Sequence, residues 1–124
     1  MEDEKELITI TYSEVKKFIK NNKFHLNPNQ RAVSYPIIER IHRRYQQGHR
    51  FSDIKVDRDT IIDGHHRFIS LSLLGVKPEE TDGGENTTKK QPIKWSSVTI
   101  DKNDWDSWIM FRSYEKRYDE GENE

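Results

Sequence analysis

Residues 63 to 67, Asp-Gly-His-His-Arg, put a carboxylate, a residue with no side chain, two imidazoles and a guanidinium in five consecutive positions. Ile61 and Ile62 lead into them and the apolar run FISLSLLG follows. A strand that ends at Asp-Gly and turns directly into a helix leaves the first N–H groups of that helix pointing outward, and the helix macrodipole adds partial positive charge there. Gly64 removes the Cβ that would stand in the way of a ligand. His65 and His66 add donors, and the planar fork of Arg67 matches phosphate oxygens two at a time. The plain structural alternative is that Asp63 caps the helix, one histidine packs, and Arg67 pairs with a surface acid. Together, at the mouth of the most apolar helix, the five residues point to phosphate binding.

Other chemistries are narrowed by the same residues. Adjacent helical positions point about 100° apart, so His65 and His66 do not make the i, i+4 pair of a helical zinc site. His25, His42 and His49 are scattered and offer no partner spacing. No dedicated metal site is expected, whereas Mg²⁺ carried in on a nucleotide needs few protein ligands. The chain has no cysteine, which excludes a disulfide frame, a thiolate zinc site and a cysteine nucleophile. Phosphoryl transfer would also need a base or positioning group near the acceptor hydroxyl. Asp63, with His65 and His66 beside it, forms the expected catalytic set, and Glu14 and Asp53 are weaker candidates for the base.

Several elements must position this turn. LITITY (7–12) has the β-branched density of a short strand, and Ser13 then offers an N-cap to a helix running to about Asn22 with Val15, Phe18 and Ile19 on one face. Residues 23–36 carry an Asn-Pro turn signal without periodicity and read as an ordered loop. Ser34 and Pro36 open a second helix, striped by Ile37, Ile38, Ile41 and Tyr45 and ended by Gly48. FSDIKV and TIID read as a hairpin joined by Asp57-Arg58-Asp59. The third helix, about 65–74, is apolar nearly all round and therefore buried, with Gly75 closing it. Residues 77–92 read as a flexible loop or flap. IKWSSVTI (93–100) reads as a last strand, and Asp101 or Asn103 as the cap of a final amphipathic helix bearing Trp105, Trp108, Ile109, Phe111 and Tyr114. The expected class is α+β, a small mixed sheet packed with about four helices.

With 124 residues, of which 31% are hydrophobic and 35% charged, the chain has room for one domain whose core must come from a few well-patterned segments. That domain is expected over 7–118, between acidic tails at 1–6 and 119–124. The tails carry −3 and −4, so the body between them carries +6 although the net charge is −1. MEDEKE has neither a basic n-region nor an apolar run after it, which leads to the expectation of a cytoplasmic protein with no membrane association. Arg40, Arg43, Arg44 and Arg50 gather on or just after the second helix and open a second possibility, salt-dependent contact with nucleic acid phosphates. A third is a toxin or immunity-type interaction domain without catalysis, which no single residue supports directly.

DGHHR followed by an apolar helix and a glycine resembles the phosphate-binding motif of the ParB/sulfiredoxin-like superfamily. NPNQR (27–31), the helix from Pro36 to Gln47, the hairpin 53–62 and GHHR (64–67) fall in the order that family shows, over roughly residues 7–100. Gly64, His66 and Arg67 match the sulfiredoxin pattern Gly-Cys-His-Arg, but His65 stands where the catalytic cysteine would be, so that activity is excluded. Chromosome-partitioning members carry Arg where His66 stands and continue into a helix-turn-helix domain that this chain has no length for. The DGHHR-bearing branch, which includes small nucleotide-dependent kinases such as free serine kinase, is the nearest in form. The resemblance implies a pocket for ATP, ADP or CTP with Mg²⁺. Its phosphates would lie on Gly64, His65, His66 and Arg67, with further contacts from Asn27, Gln30 and Arg31. It also implies a small-molecule or protein hydroxyl as the acceptor.

Overall fold

The computed structural model describes residues 6–84 and 91–105. Among these are three α-helices and two small sheets, a mixed α+β arrangement. Helix α1 (Tyr12–Asn21) begins at a capping box. The Thr11 hydroxyl accepts from the Glu14 backbone N–H at 3.1 Å, and the Glu14 carboxylate accepts from the Thr11 N–H at 2.9 Å. The cap is thus Thr11 and not the expected Ser13, because only a Thr-x-x-Glu spacing satisfies two helix-end donors reciprocally. Replacing Thr11 with Ala is expected to lower stability by about 1 kcal/mol, read as a shift of the urea midpoint at constant slope.

LITITY is not a strand. Residues 6–10 have no regular structure and Ile8 is 63% exposed. The β-branched run finds no neighbouring strand; its backbone is met by a side chain instead, with Gln46 Oε1 accepting from Ile8 N and Gln46 Nε2 donating to Ile8 O.

The segment expected as a loop before the second helix contains strand β1 (Ala32–Ser34), and helix α2 (Tyr35–Gln46) follows it immediately. Strands β2 (Ile54–Asp57) and β3 (Thr60–Asp63) form the expected antiparallel hairpin, turned at Arg58 with φ of 58°. Helix α3 (His65–Leu73) starts one residue beyond β3. It ends in a Schellman arrangement, Gly75 N donating to Ser72 O and Val76 N to Leu71 O, with Gly75 at φ of 74°.

Two further corrections concern the later chain. The stretch expected as a flexible loop supplies β4 (Glu80–Asp82), which pairs parallel to β2 and gives the order β3-β2-β4. IKWSSVTI is not one strand: Trp95–Ser97 form a 3-10 turn, and only Thr99–Asp101 is extended, as β5, parallel to β1 in a separate two-stranded sheet. The single sheet is therefore two. The expected final helix lies outside the described residues apart from its first aromatic, Trp105, and so do the acidic tails apart from Glu6.

The core joins α1, α2 and α3 to both sheets through Val15, Ile19, Val33, Ile38, Ile54, Ile61 and Ile69. Its centre is aromatic. Phe68 stacks on Trp95 at 5.6 Å, and Phe24 packs edge-on against both rings. The Trp95 indole donates to Leu26 O at 2.9 Å, which ties the 24–29 loop to the 3-10 turn. Helices α2 and α3 run side by side in the same direction, since Ser34 meets His66 and Ile38 meets Ser70. Their N-terminal ends thus lie together.

Candidate functional site

Gly64 is the N-cap of α3, with φ of 106° and ψ of 27°, a conformation that L side chains rarely adopt. A Cβ there would lie 2.7 Å from Ile54 Cγ2 and 3.0 Å from an Arg67 guanidinium nitrogen. The room left by the missing side chain is thus used by Ile54, which clamps β2 onto the helix start. No side chain caps α3, and its first turn holds no acid. The first helical bond runs from Phe68 N to Gly64 O at 2.8 Å.

The three residues after Gly64 each hold a different segment. His65 is buried and its Nε2 accepts from Asn29 N at 3.1 Å. His66 is half-buried and its Nε2 accepts from Ser34 N at 2.9 Å. A ring nitrogen that accepts carries no proton, so in these bonds both imidazoles are neutral with the proton on Nδ1. Arg67 is 5% exposed. It donates to Ser52 O at 3.0 Å, to Asp53 O at 3.3 Å and to Asp63 Oδ2 at 3.2 Å. The five-residue turn therefore gathers the 27–31 loop, the start of α2 and the approach to β2 around the start of α3.

The other sequence candidates are distributed around this knot. Asn27 pairs its backbone with the hairpin, donating to Asp59 O and accepting from Ile61 N. Gln30 folds back on Ala32 O at 2.7 Å, and Arg31 is exposed while its carbonyl accepts from Thr99 N. Asp63 sits at the end of β3 with its side chain 57% exposed. Asp53 accepts from the Thr81 hydroxyl at 2.7 Å, and Glu14 is committed to the α1 cap. Neither of these two carboxylates is bonded to the residues of the turn.

Four residues near the turn have roles that their types did not suggest. Ser34 Oγ donates to Asn103 O at 3.0 Å, and the Trp105 ring stands edge-on to His66 at 5.5 Å. Asp101 fixes that approach by accepting from Asn103 N and from the Trp105 indole, each at 2.9 Å, and these donors, Asn103 first, hold its carboxyl below the usual aspartate range. The Asp-x-Asn spacing at 101–103 is the signal that could have shown this turn.

Three of the arginines on or just after α2 have partners. Arg40 pairs with Asp104, Arg43 with Glu39 at 3.5 Å, and Arg50 lies 4.2 Å over the Tyr45 ring while donating to His49 O at 2.8 Å. Two concavities lie toward the opposite ends of α2 and α3. One, of about 350 Å³, is lined by residues 6–8, Tyr45, Gln46, Leu74 and Val76. The other, of about 170 Å³, includes Ser52 and Asp53, whose carbonyls Arg67 holds, with Tyr45, Arg50 and Lys77.

No helix among the described residues is long and apolar enough to cross a membrane, and among them no three His, Asp or Glu come together as a metal would need. No known protein family, curated protein or solved structure matches this chain. Fold and site define a small α+β protein whose third helix opens on a left-handed glycine.

Proposed function

We propose that this protein binds a nucleotide through its phosphates at the start of α3, as members of the ParB/sulfiredoxin-like superfamily do, and that phosphoryl transfer to a hydroxyl is the reaction such binding would serve. The observation that carries the reading is the opening of α3 on a left-handed glycine, with no side-chain cap and no acid in the first turn. The N-terminal end of a helix carries partial positive charge and favours an anion. His65 adds to this by tying the NPNQR loop to the same helix end, so that exposed Arg31 is carried by a loop bonded to the turn.

The residues present suit a triphosphate with Mg²⁺ in one specific sense: the start of α3 carries the positive end of the helix dipole, and the metal would need only phosphate oxygens and water to complete its shell. In a transfer reaction the chain's own contribution would be placement. His65 and His66 hold the loop and the start of α2 at fixed distance. Asp63, paired with Arg67 yet more than half exposed, is the carboxylate that could accept a hydrogen bond from an acceptor hydroxyl.

The test is calorimetric titration of the native protein and of Arg31→Glu with MgATP, repeated with MgCTP. Arg31 is chosen because its side chain is exposed and its replacement spares the buried bonds of the turn. Saturable binding weakened by about 1.5 to 3 kcal/mol in the variant supports the reading. Absence of heat with both nucleotides in the native protein would sink it.

A further inference from the structure

Away from the turn, α2 carries a buried histidine that phosphate binding does not use. His42 is 2% exposed and its Nε2 has no hydrogen-bond partner among the described residues. Its other nitrogen, Nδ1, lies 3.2 Å from Gln46 Nε2, which is also 3.2 Å from the His42 carbonyl oxygen and donates to it. An amide nitrogen is only a donor, so Nδ1 accepts and the ring is neutral with its proton on the buried Nε2.

The same Gln46 amide holds the N-terminal segment. Its Oε1 accepts from Ile8 N at 2.7 Å and its Nε2 donates to Ile8 O at 2.9 Å, two bonds of the kind a neighbouring strand would make. These bonds fix which way round the amide sits: turned over, it would set oxygen against the Ile8 carbonyl and N–H against the Ile8 N–H. The orientation that Ile8 demands is thus the one that presents a donor to His42.

We propose that His42 is a proton-operated latch on the N-terminal segment: a proton on Nδ1 sets donor against donor at Gln46, breaks its double bond bridge to Ile8, and lifts residues 6–8 from the cavity of about 350 Å³ that they line. On the same helix as His42, Tyr45 lines the cavity with Gln46. On α2, Glu39 and Arg43 pair with each other at 3.5 Å. The N-terminal segment brings Glu6, and β1 brings none. On α3, His65, His66 and Arg67 lie at the far end, because the pairing of Ser34 with His66 and Ile38 with Ser70 brings His42 level with Leu74. Burial lowers the readiness of His42 to take a proton, and Glu39 opposes this more weakly.

The sign follows. The folded state holds His42 neutral below the 6.5 of a free imidazole, so the latch is closed at and above that pH and opens as pH falls through the lowered folded value. NMR can follow the His42 ring and the exchange of the Ile8 amide in the full chain between pH 7.5 and pH 5. Expected is a loss of Ile8 protection, corrected for intrinsic rates, of about tenfold per pH unit below the His42 midpoint, as one linked proton requires. The Phe68 amide should remain protected, which separates local release from unfolding. In His42→Gln the Ile8 protection should be flat with pH. Ile8 protection that stays constant while His42 titrates, or that still falls with pH in the variant, overturns the latch. Should His42→Gln fail to fold, Gln46→Leu serves: Ile8 unprotected at every pH supports the bridge, and Ile8 still protected refutes it.

Discussion

Gly64→Ala is expected to lower stability by about 2 to 4 kcal/mol, the combined cost of a left-handed non-glycine residue and of an overpacked contact. The first part comes from φ of 106°, where a Cβ crowds its own backbone. The second comes from Ile54 Cγ2, 2.7 Å from where that Cβ would stand. Ile54 is 1% exposed within the core and cannot swing away, and the nearby Arg67 Nη2 is itself bonded to the Asp63 carboxylate at 3.2 Å. A domain of this size has a net stability of about 5 to 15 kcal/mol, so the loss is a large share of it. Urea unfolding measures it. Gly64→Asn divides the two causes, since asparagine tolerates positive φ far better than alanine but carries the same Cβ. Equal losses in the two variants place the cost in the Ile54 contact, and a milder loss with asparagine places it in the backbone. A change within about 0.5 kcal/mol for alanine, the range of an ordinary surface substitution, would contradict the close packing of β2 on the helix start.

This glycine also shows how far the sequence could be read. The junction itself was legible: Ile61 and Ile62 running into Asp-Gly, then an apolar run closed by Gly75, leaves little choice but a strand, a sharp turn and a buried helix. The hairpin before it was legible for the same reason, as was the apolar stripe of α2. What the residue types do not carry is direction. A histidine beside a helix start can face a ligand or a backbone N–H, and His65 and His66 are bonded to Asn29 and Ser34, segments 36 and 32 residues earlier in the chain. No local pattern encodes such a distant partner.

The misread elements share a cause. LITITY has strand composition, yet a strand needs a neighbour, and at Ile8 the Gln46 side chain takes that place. In β4 the reverse holds. Glu80-Thr81-Asp82 is polar and exposed, with nothing in its composition to suggest a strand, and it is extended because the backbone of β2 has a free side to pair with. Short edge strands are determined by what lies beside them, which is tertiary information.

Arg67→Ala is expected to lower stability by about 2 to 3 kcal/mol, the range for losing charge-assisted bonds to partly buried acceptors. The guanidinium joins Ser52 O and Asp53 O, which lie before β2, to Asp63 at the end of β3, so its removal loosens both strands of the hairpin where they meet α3. Asp63 is more than half exposed and water can replace its lost partner, so its contribution to the loss is small. Arg67→Lys keeps the charge but has no fork with which to span two carbonyls and a carboxylate, and should recover less than half of the loss. The two variants also bear on the nucleotide reading. If Arg67 serves only to hold the hairpin, Arg67→Lys should bind MgATP as the native protein does once it is folded. A guanidinium that turns outward to meet phosphate must give up its bonds to Ser52 and Asp53, and the native protein should then lose hydrogen-exchange protection in the adjoining backbone when nucleotide is added. Stability of Arg67→Ala within about 0.5 kcal/mol of native would show that the three bonds hold nothing together.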